Sequence, residues 1–448
     1  VLKAYFKEFP KNFELAFPIM LGQLGHVLVG LADNIMIGRL GAAPLAAVSL
    51  GNTLIFFALF IGIGFSFAIT PLVAEADGEE NFTRGRRIFQ NGIVMCTING
   101  ILLFIAVVLV KPILNSPLLN QPEQVVELAY PYLDIVSFSL IPLMIFQGFK
   151  QFADGLSLTK YAMYATLITN VVNIVFNYFL IYGVWIFPRL EVEGAAISTL
   201  ISRVLMLFLL IFILKSRPKL KPYFKKLIQK IDVLIFKRLL QLGFPTALQM
   251  LFEGGIFTAS VLLAGNLGTN EQAANQIALN LASMTFMIAV GLGVTATIRV
   301  ANQKGKAQFF ELKRIAHSIF LQILLVEIVF ALAFILLKNM LPQIYIDDVQ
   351  VITLAANLLI IAALFQISDG LQVGILGALR GLQDVNVPTF ICFVAYWIIG
   401  FSISFYFGKP ERLGGVGIWL GLLAGLTASM FMLYARFYYV SNRLLKKD

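Results

Sequence analysis

Residues 244–264 read Phe244-Pro245-Thr246-Ala247-Leu248-Gln249-Met250-Leu251-Phe252-Glu253-Gly254-Gly255-Ile256-Phe257-Thr258-Ala259-Ser260-Val261-Leu262-Leu263-Ala264. Glu253 is the one charged side chain in the run. At about 1.5 Å per residue, a helix of this length crosses the ~30 Å hydrocarbon core of a bilayer. Eleven comparable runs accompany it. The spans fall approximately at 13–38, 45–71, 88–112, 126–150, 159–185, 192–214, 237–264, 272–298, 314–337, 350–377, 387–407 and 414–440. The 448-residue chain is 59% hydrophobic and 13% charged, with a mean hydropathy of +0.86. Soluble domains lie nearer half apolar and a quarter charged. A set of soluble domains, a disordered chain, a coiled coil and a disulfide scaffold are thereby excluded. The ~10-residue alternating segments of a membrane β-barrel are absent. The expected fold class is an all-α polytopic membrane protein, with twelve transmembrane helices in two pseudo-symmetric six-helix bundles.

The net charge of +10 resides in short loops between apolar runs, so it signals membrane orientation and not nucleic acid. With a cytoplasmic N-terminus, 27 Lys and Arg fall on the cytoplasmic side and 6 on the other, and Arg203 inside span 6 completes the 34. Both termini are therefore expected inside. The densest cluster runs from Lys215 to Arg238, with nine basic residues and one acid, Asp232. It serves as a topology determinant or binds anionic lipid headgroups. Cys96 and Cys392 lie in apolar runs and read as core residues. With His26 and His317 as the two histidines, no His/Cys metal cluster is expected. No removed signal peptide is indicated.

The opening run has a twin. Phe17-Pro18 recurs as Phe244-Pro245, 227 residues on. The same offset relates Leu40-Gly41 to Leu267-Gly268, Ala46-Ala47 to Ala273-Ala274, and Gly64 to Gly291. It also relates Val73-Ala74 to Val300-Ala301, Gly78 to Gly305 and Arg87-Ile88 to Arg314-Ile315. Further on the register drifts, with Gly155-Leu156 resembling Gly381-Leu382. The expected organisation is an N-terminal lobe 1–214, a basic linker 215–236 and a C-terminal lobe 237–448. Six spans per half return each half to the side it started from, so the halves share one orientation about an axis along the membrane normal. Such duplication points to a secondary transporter with its site near mid-membrane.

A carboxylate within a span costs roughly 2.5–3.5 kcal/mol on insertion scales. Asp33 lies late in span 1, Glu253 in the middle of span 7 and Asp369 in the middle of span 10, with no basic residue beside them in sequence except the distant Arg203. Such acids are protonated or bind a cation. Glu253 and Asp369, in one half, suit Na⁺ or a transported proton. Glu327 in span 9 and Asp134 in span 4 lack polar surroundings and read as neutral or snorkelling groups. Asn170, Asn173 and Asn177 share one face of span 5. They either join helices or supply oxygens to an ion near Asp33. Gln276 and Asn280 share a face of span 8 and are possible cation or substrate contacts. His26 occupies the repeat position of Glu253, as a hydrogen-bonded interior residue or a proton carrier. Asp154, before Gly155, reads as a turn or cap. No P-loop, catalytic constellation or ATPase-sized segment is present, so the chain is read as a non-enzyme, without a cofactor, driven by an ion gradient.

These residues resemble the multidrug and toxic compound extrusion (MATE) family in its bacterial NorM-type branch. The resemblance rests on Leu31-Ala32-Asp33-Asn34-Ile35-Met36-Ile37-Gly38, Gly148-Phe149-Lys150-Gln151-Phe152-Ala153-Asp154-Gly155, and Phe244-Pro245 leading to Glu253. Ala273-Ala274-Asn275-Gln276-Ile277-Ala278-Leu279-Asn280 and Ser368-Asp369-Gly370 complete it. It implies two six-helix lobes around a V-shaped cavity and export of lipophilic organic cations in exchange for Na⁺ or H⁺. It assigns cation binding to Glu253 and Asp369, and an ion-coupling role to Asp33 with Asn173 and Asn177. An aromatic hydroxyl near the C-lobe ion is not evident, since Phe365 and Phe286 take the expected positions. Na⁺ is the expected coupling ion. The expected setting is the bacterial inner membrane, with a monomer working among membrane lipid. The alternative is a lipid-linked oligosaccharide flippase, which needs a basic cavity that these interior acids do not provide.

Overall fold

The computed structural model describes residues 2–116, 122–224 and 231–446. Residues 225–230 of the expected linker lie outside the described residues. Twelve helical spans among the described residues are long and apolar enough to cross a membrane. They are Leu2–Gly38, Ala42–Gly78, Phe82–Asn115, Glu123–Gly155, Thr159–Tyr182, Glu191–Lys215, Val233–Gly265, Thr269–Gly305, Phe309–Leu337, Val349–Gly381, Asn386–Phe407 and Gly414–Leu445. Each coincides with a run expected from hydropathy. In hydrocarbon every backbone N–H and C=O needs an internal partner, and a helix supplies one within its own segment.

The repeat extends to the turns. Gly41 and Gly268, preceding spans 2 and 8, have φ of 130° and 118°, a region open to glycine and strained for other residues. Glu80 and Ala307 close spans 2 and 8 in the left-handed region, with φ of 55° and 54°. Ser157 and Gln383 do the same after spans 4 and 10, at 61° and 62°. The halves differ in their helix interiors. Span 2 is interrupted between Ser66 and Ile69 and span 4 at Ser139, whereas spans 8 and 10 run unbroken. Span 11 contains a π-helical segment, Val394–Gly400.

The chain forms two compact units. One comprises Val1–Met20, Ala74–Glu80 and Leu248–Asp448, and the other Leu21–Val73 and Asn81–Ala247. They are called the C-unit and the N-unit. The changes of unit after Met20 and after Ala247 fall at repeat-equivalent positions, just beyond Pro18 and Pro245.

Glycines explain which segments adhere. In the C-unit, a Cβ on Gly78 would lie 2.1 Å from the Asn302 carbonyl oxygen, and one on Gly305 would lie 2.1 Å from that of Glu75. Glu75 and Asn302 are themselves repeat partners, so the two contacts are one contact seen twice. In the N-unit, a Cβ on Gly64 would approach the Ala247 Cα to 2.4 Å, and in the C-unit one on Gly291 would approach the Met20 Cγ to 2.5 Å. Ala247 and Met20 are again partners. Reciprocity of this kind is the mark of a two-fold relation between repeats.

Polar anchors hold the first twenty residues in the C-unit. The Glu8 carboxylate accepts from Arg299 Nη2 at 2.7 Å and from Arg314 Nη2 at 2.8 Å. Arg299 also donates to Asn12 Oδ1, and Asn12 donates to Ser318 Oγ at 3.3 Å. The Glu75 carboxylate pairs with Lys304 at 2.8 Å and accepts from Gln383 Nε2 at 2.8 Å.

Gly78→Ala and Gly305→Ala should each destabilise the protein by about 1–3 kcal/mol, because backbone must move to admit the methyl group. Gly22→Ala and Gly30→Ala, where a Cβ meets nothing within 4 Å, should leave stability unchanged or slightly raised. Thermal unfolding in detergent checks this, and equal midpoints for all four variants would refute the close-packing account.

Candidate functional site

In the N-unit, span 1 carries Asp33 and span 5 carries Asn173 and Asn177, one helical turn apart. Asn177 Nδ2 donates to Asp33 Oδ1 and, at 3.2 Å, to Asn173 Oδ1. Asn173 Nδ2 donates to Ser198 Oγ at 3.4 Å, and Ser198 Oγ donates back to the Asn173 carbonyl at 2.9 Å. Both asparagines are buried. The face recognised in the sequence thus joins spans 1, 5 and 6 and answers a carboxylate in the same stroke. Asn170 takes no part in this chain and abuts Gly25 of span 1, where a Cβ would come within 2.8 Å of its Nδ2.

Asp33 is not without a basic neighbour, contrary to the sequence reading. Folding brings the Arg203 charge within reach of Asp33 and of Tyr132. Arg203 Nη1 donates to Ser139 Oγ at 2.6 Å, at the break in span 4. Tyr132 donates its hydroxyl proton to Asn52 Oδ1 at 2.8 Å. His26 is exposed on its unit, within the field of Lys150 and Arg203. Two further expectations change. Asp154 is buried and ion-paired with Lys150 at 3.3 Å, so it is not a turn cap. Asp134 is paired with Lys111 at 2.6 Å.

In the C-unit, Glu253 on span 7 and Asp369 on span 10 act on one another electrostatically. Asp369 is 4% exposed and its Oδ1 has no hydrogen-bond donor. Arg380, also on span 10, donates Nη2 to Gln249 Oε1 at 3.1 Å, and its charge acts on Glu253. Gln249 sits one turn before Glu253 and donates Nε2 to Thr389 Oγ1 at 2.9 Å, which ties span 7 to span 11. Glu253 therefore also has a basic neighbour that its sequence surroundings do not disclose.

Two residues given little or no weight in the sequence join this group. Glu327 of span 9 is 1% exposed, which removes the snorkelling reading, and its charge acts on Asp369. Tyr396, in the π-helical segment of span 11, is buried and within the electrostatic reach of Glu253 and Asp369. It supplies the aromatic hydroxyl that the sequence did not reveal. That hydroxyl lies beside Ser429 without an aligned hydrogen bond. Trp397, next in the same segment, packs on Gly255, two residues from Glu253, where a Cβ would fall 2.8 Å from its ring. π-Helical turns inside α-helices occur frequently at functional sites. On span 8 the exposed Gln276 donates Nε2 to Oδ1 of the half-buried Asn280 at 3.2 Å, apart from these acids in its bonding.

Asp369 Oδ1 and Glu327 Oε2 are buried carboxylate oxygens without a hydrogen-bond donor. Among the described residues no three His, Cys, Asp or Glu side chains converge on a single metal position.

The MatE family pattern matches residues 18–179 and 245–406, two stretches that begin at the paired prolines. The chain is 34% identical to a probable multidrug resistance protein NorM of Rhizobium meliloti, over 97% of this chain and 94% of the relative. It is 30% identical to the multidrug resistance protein NorM of Photobacterium profundum, over 96% and 95%. Its fold matches a Vibrio cholerae MATE transporter at 16% identity and a TM-score of 0.89, covering 98% of each chain. It also matches a eukaryotic MATE transporter at 18% identity and a TM-score of 0.88, covering 99% of each chain.

Asn177→Leu leaves the Asp33 carboxylate without its amide donor and should cost about 2–3 kcal/mol. The double variant Asn177→Leu with Asp33→Leu should recover part of that loss. Thermal unfolding of the four proteins in a double-mutant cycle measures the coupling, and simple additivity would refute it.

Proposed function

The chain belongs to the MATE family of membrane transporters, and on that premise we propose that it is an antiporter exporting lipophilic organic cations in exchange for Na⁺. The observation that carries the reading is the pair of the half-buried Glu253 and the buried Asp369, with an Asp369 oxygen that no protein donor answers. A cation there supplies the missing counter-charge. At an effective dielectric of about 20, two unit charges 4 Å apart attract by ~4 kcal/mol, enough to favour cationic over anionic substrates of equal size. Asp33, which accepts from Asn177 while Asn173 braces that amide, is the N-unit acid that takes part in coupling. Gln276, exposed on span 8, and the half-buried Asn280 one turn on are available as substrate contacts. Export follows from linkage. If Na⁺ and drug disfavour each other's binding, each lowers the other's affinity by the same factor, and Na⁺ entering down its gradient displaces drug outward.

A flippase of anionic lipid intermediates would need free basic groups in the interior. Arg203 is engaged by Ser139 and Arg380 by Gln249, which favours the cation reading. The setting we propose is a bacterial cytoplasmic membrane with both termini inside, as the 27-to-6 basic asymmetry supports.

In proteoliposomes with Na⁺ and pH gradients imposed separately, Na⁺ should drive export. Glu253→Gln and Asp369→Asn should each lower that rate at least tenfold while leaving the protein inserted. Wild-type export by the double variant would exclude these acids as the coupling site. Export that follows only the pH gradient would replace Na⁺ by a proton. A cysteine introduced at the exposed position Lys219, in the basic loop, should be labelled by impermeant reagents only from the cytoplasmic side; labelling from outside intact cells would reverse the orientation.

A further inference from the structure

We propose that Glu327 is a third acid of the C-unit's cation site, and that Asp369 serves two positions for a monovalent metal cation, one shared with Glu253 and one shared with Glu327. The proposal rests on the Na⁺-coupled reading above and adds a residue and a position to it.

Glu327 projects from span 9 among apolar neighbours such as Ile323, Ala331 and Phe334, where an acid with no purpose would be costly. Its placement is specific. A Cβ on Gly370 would lie 2.8 Å from Glu327 Cγ and 3.0 Å from Oε1. The glycine thus leaves the room that lets this carboxylate reach span 10, next to Asp369. Glu327 Oε2 is buried without a donor, as is Asp369 Oδ1. The charges that act on Asp369 are those of Glu253 and Glu327, both negative. The nearby arginine, Arg380, acts on Glu253. Glu327 therefore faces a second carboxylate with neither a donor for its free oxygen nor a counter-charge beside it. A metal cation between Asp369 and Glu327 answers both orphaned oxygens.

No three acids converge on one metal position among the described residues; Asp369 is common to two pairs because the charges of Glu253 and Glu327 both act on it. The Tyr396 hydroxyl, 1% exposed and without an aligned hydrogen bond, is a neutral oxygen available on the Glu253 side. Small monovalent cations with hard-oxygen preference, Na⁺ foremost, suit such incomplete carboxylate pairs. A divalent ion would call for a fuller ligand cage.

The test is equilibrium binding of Na⁺ alone to the purified full-length protein, without drug, for wild type and three variants. Wild type should take up two Na⁺. Glu327→Gln and Glu253→Gln should each retain one, and Asp369→Asn should weaken both by at least tenfold. Glutamine has the shape of a neutral glutamic acid, so a purely structural Glu327 predicts an unchanged Glu327→Gln isotherm. Drug binding in Na⁺-free buffer verifies that each variant is folded. If Glu327→Gln matches wild type while Glu253→Gln and Asp369→Asn are impaired, this proposal fails and the coupling site stands. A single-site wild-type isotherm would overturn the proposal in the same way. If wild type takes up no Na⁺, or if none of the variants alters uptake, both fall together.

Discussion

Hydrocarbon does not solvate a carboxylate, so each buried acid must be answered by a donor, a counter-charge or a bound cation. The two units answer differently. In the N-unit, Asp33 accepts from Asn177, which is braced by Asn173 and Ser198, and it feels Arg203. Much of its charge is met by the protein. In the C-unit, Arg380 reaches Glu253, while Asp369 meets two further negative charges and keeps an oxygen without a donor. The duplicated scaffold thus carries one largely satisfied acid in the N-unit and, in the C-unit, a set whose oxygens the protein leaves unanswered. The polar tie between Gln249 and Thr389 and the packing of Trp397 on Gly255 hold that set between spans 7 and 11.

Glycine makes the scaffold possible. Helices in lipid gain little from burying apolar surface against one another and depend on close approach of their backbones. Gly78 against Asn302 and Gly305 against Glu75 are the tightest such approaches related by the repeat, and Gly64 and Gly291 form a second such pair. Because the contacts are reciprocal, a mutation on either side of the duplication meets the same steric problem. This accounts for the agreement of these positions across the repeat.

Much of this was legible in the sequence. Hydropathy gives the spans because the bilayer forces helices. The fixed offset gives the duplication because paired glycines and turn residues cannot drift independently. Asp33, Glu253 and Asp369 are visible because acids stand out in apolar runs. Other features depend on which helix faces which. Arg203 and Asp33 are far apart along the chain, and the Arg203 charge comes to act on Asp33 only in the folded protein. Glu327 looks like an isolated acid until Gly370 shows where its side chain goes. Tyr396 is one of fourteen tyrosines, and its position follows from the π-helical segment of span 11, which hydropathy does not register.

The exchange of segments between units also bears on how the chain is made. Glu8 is bonded to a residue 291 positions further on, and Asn12 to one 306 further on. At about 5–20 residues per second of synthesis, span 1 waits roughly 15–60 s before the helices that receive its first half have been made. Until then Glu8 and Asn12 lack the partners that answer them in the finished protein. Contacts of such sequence separation also slow folding, because a long loop must close before they form. The first six spans therefore do not complete a compact unit by themselves: the opening half-helix belongs to partners in the second repeat, and it reaches them only when those later helices have been made.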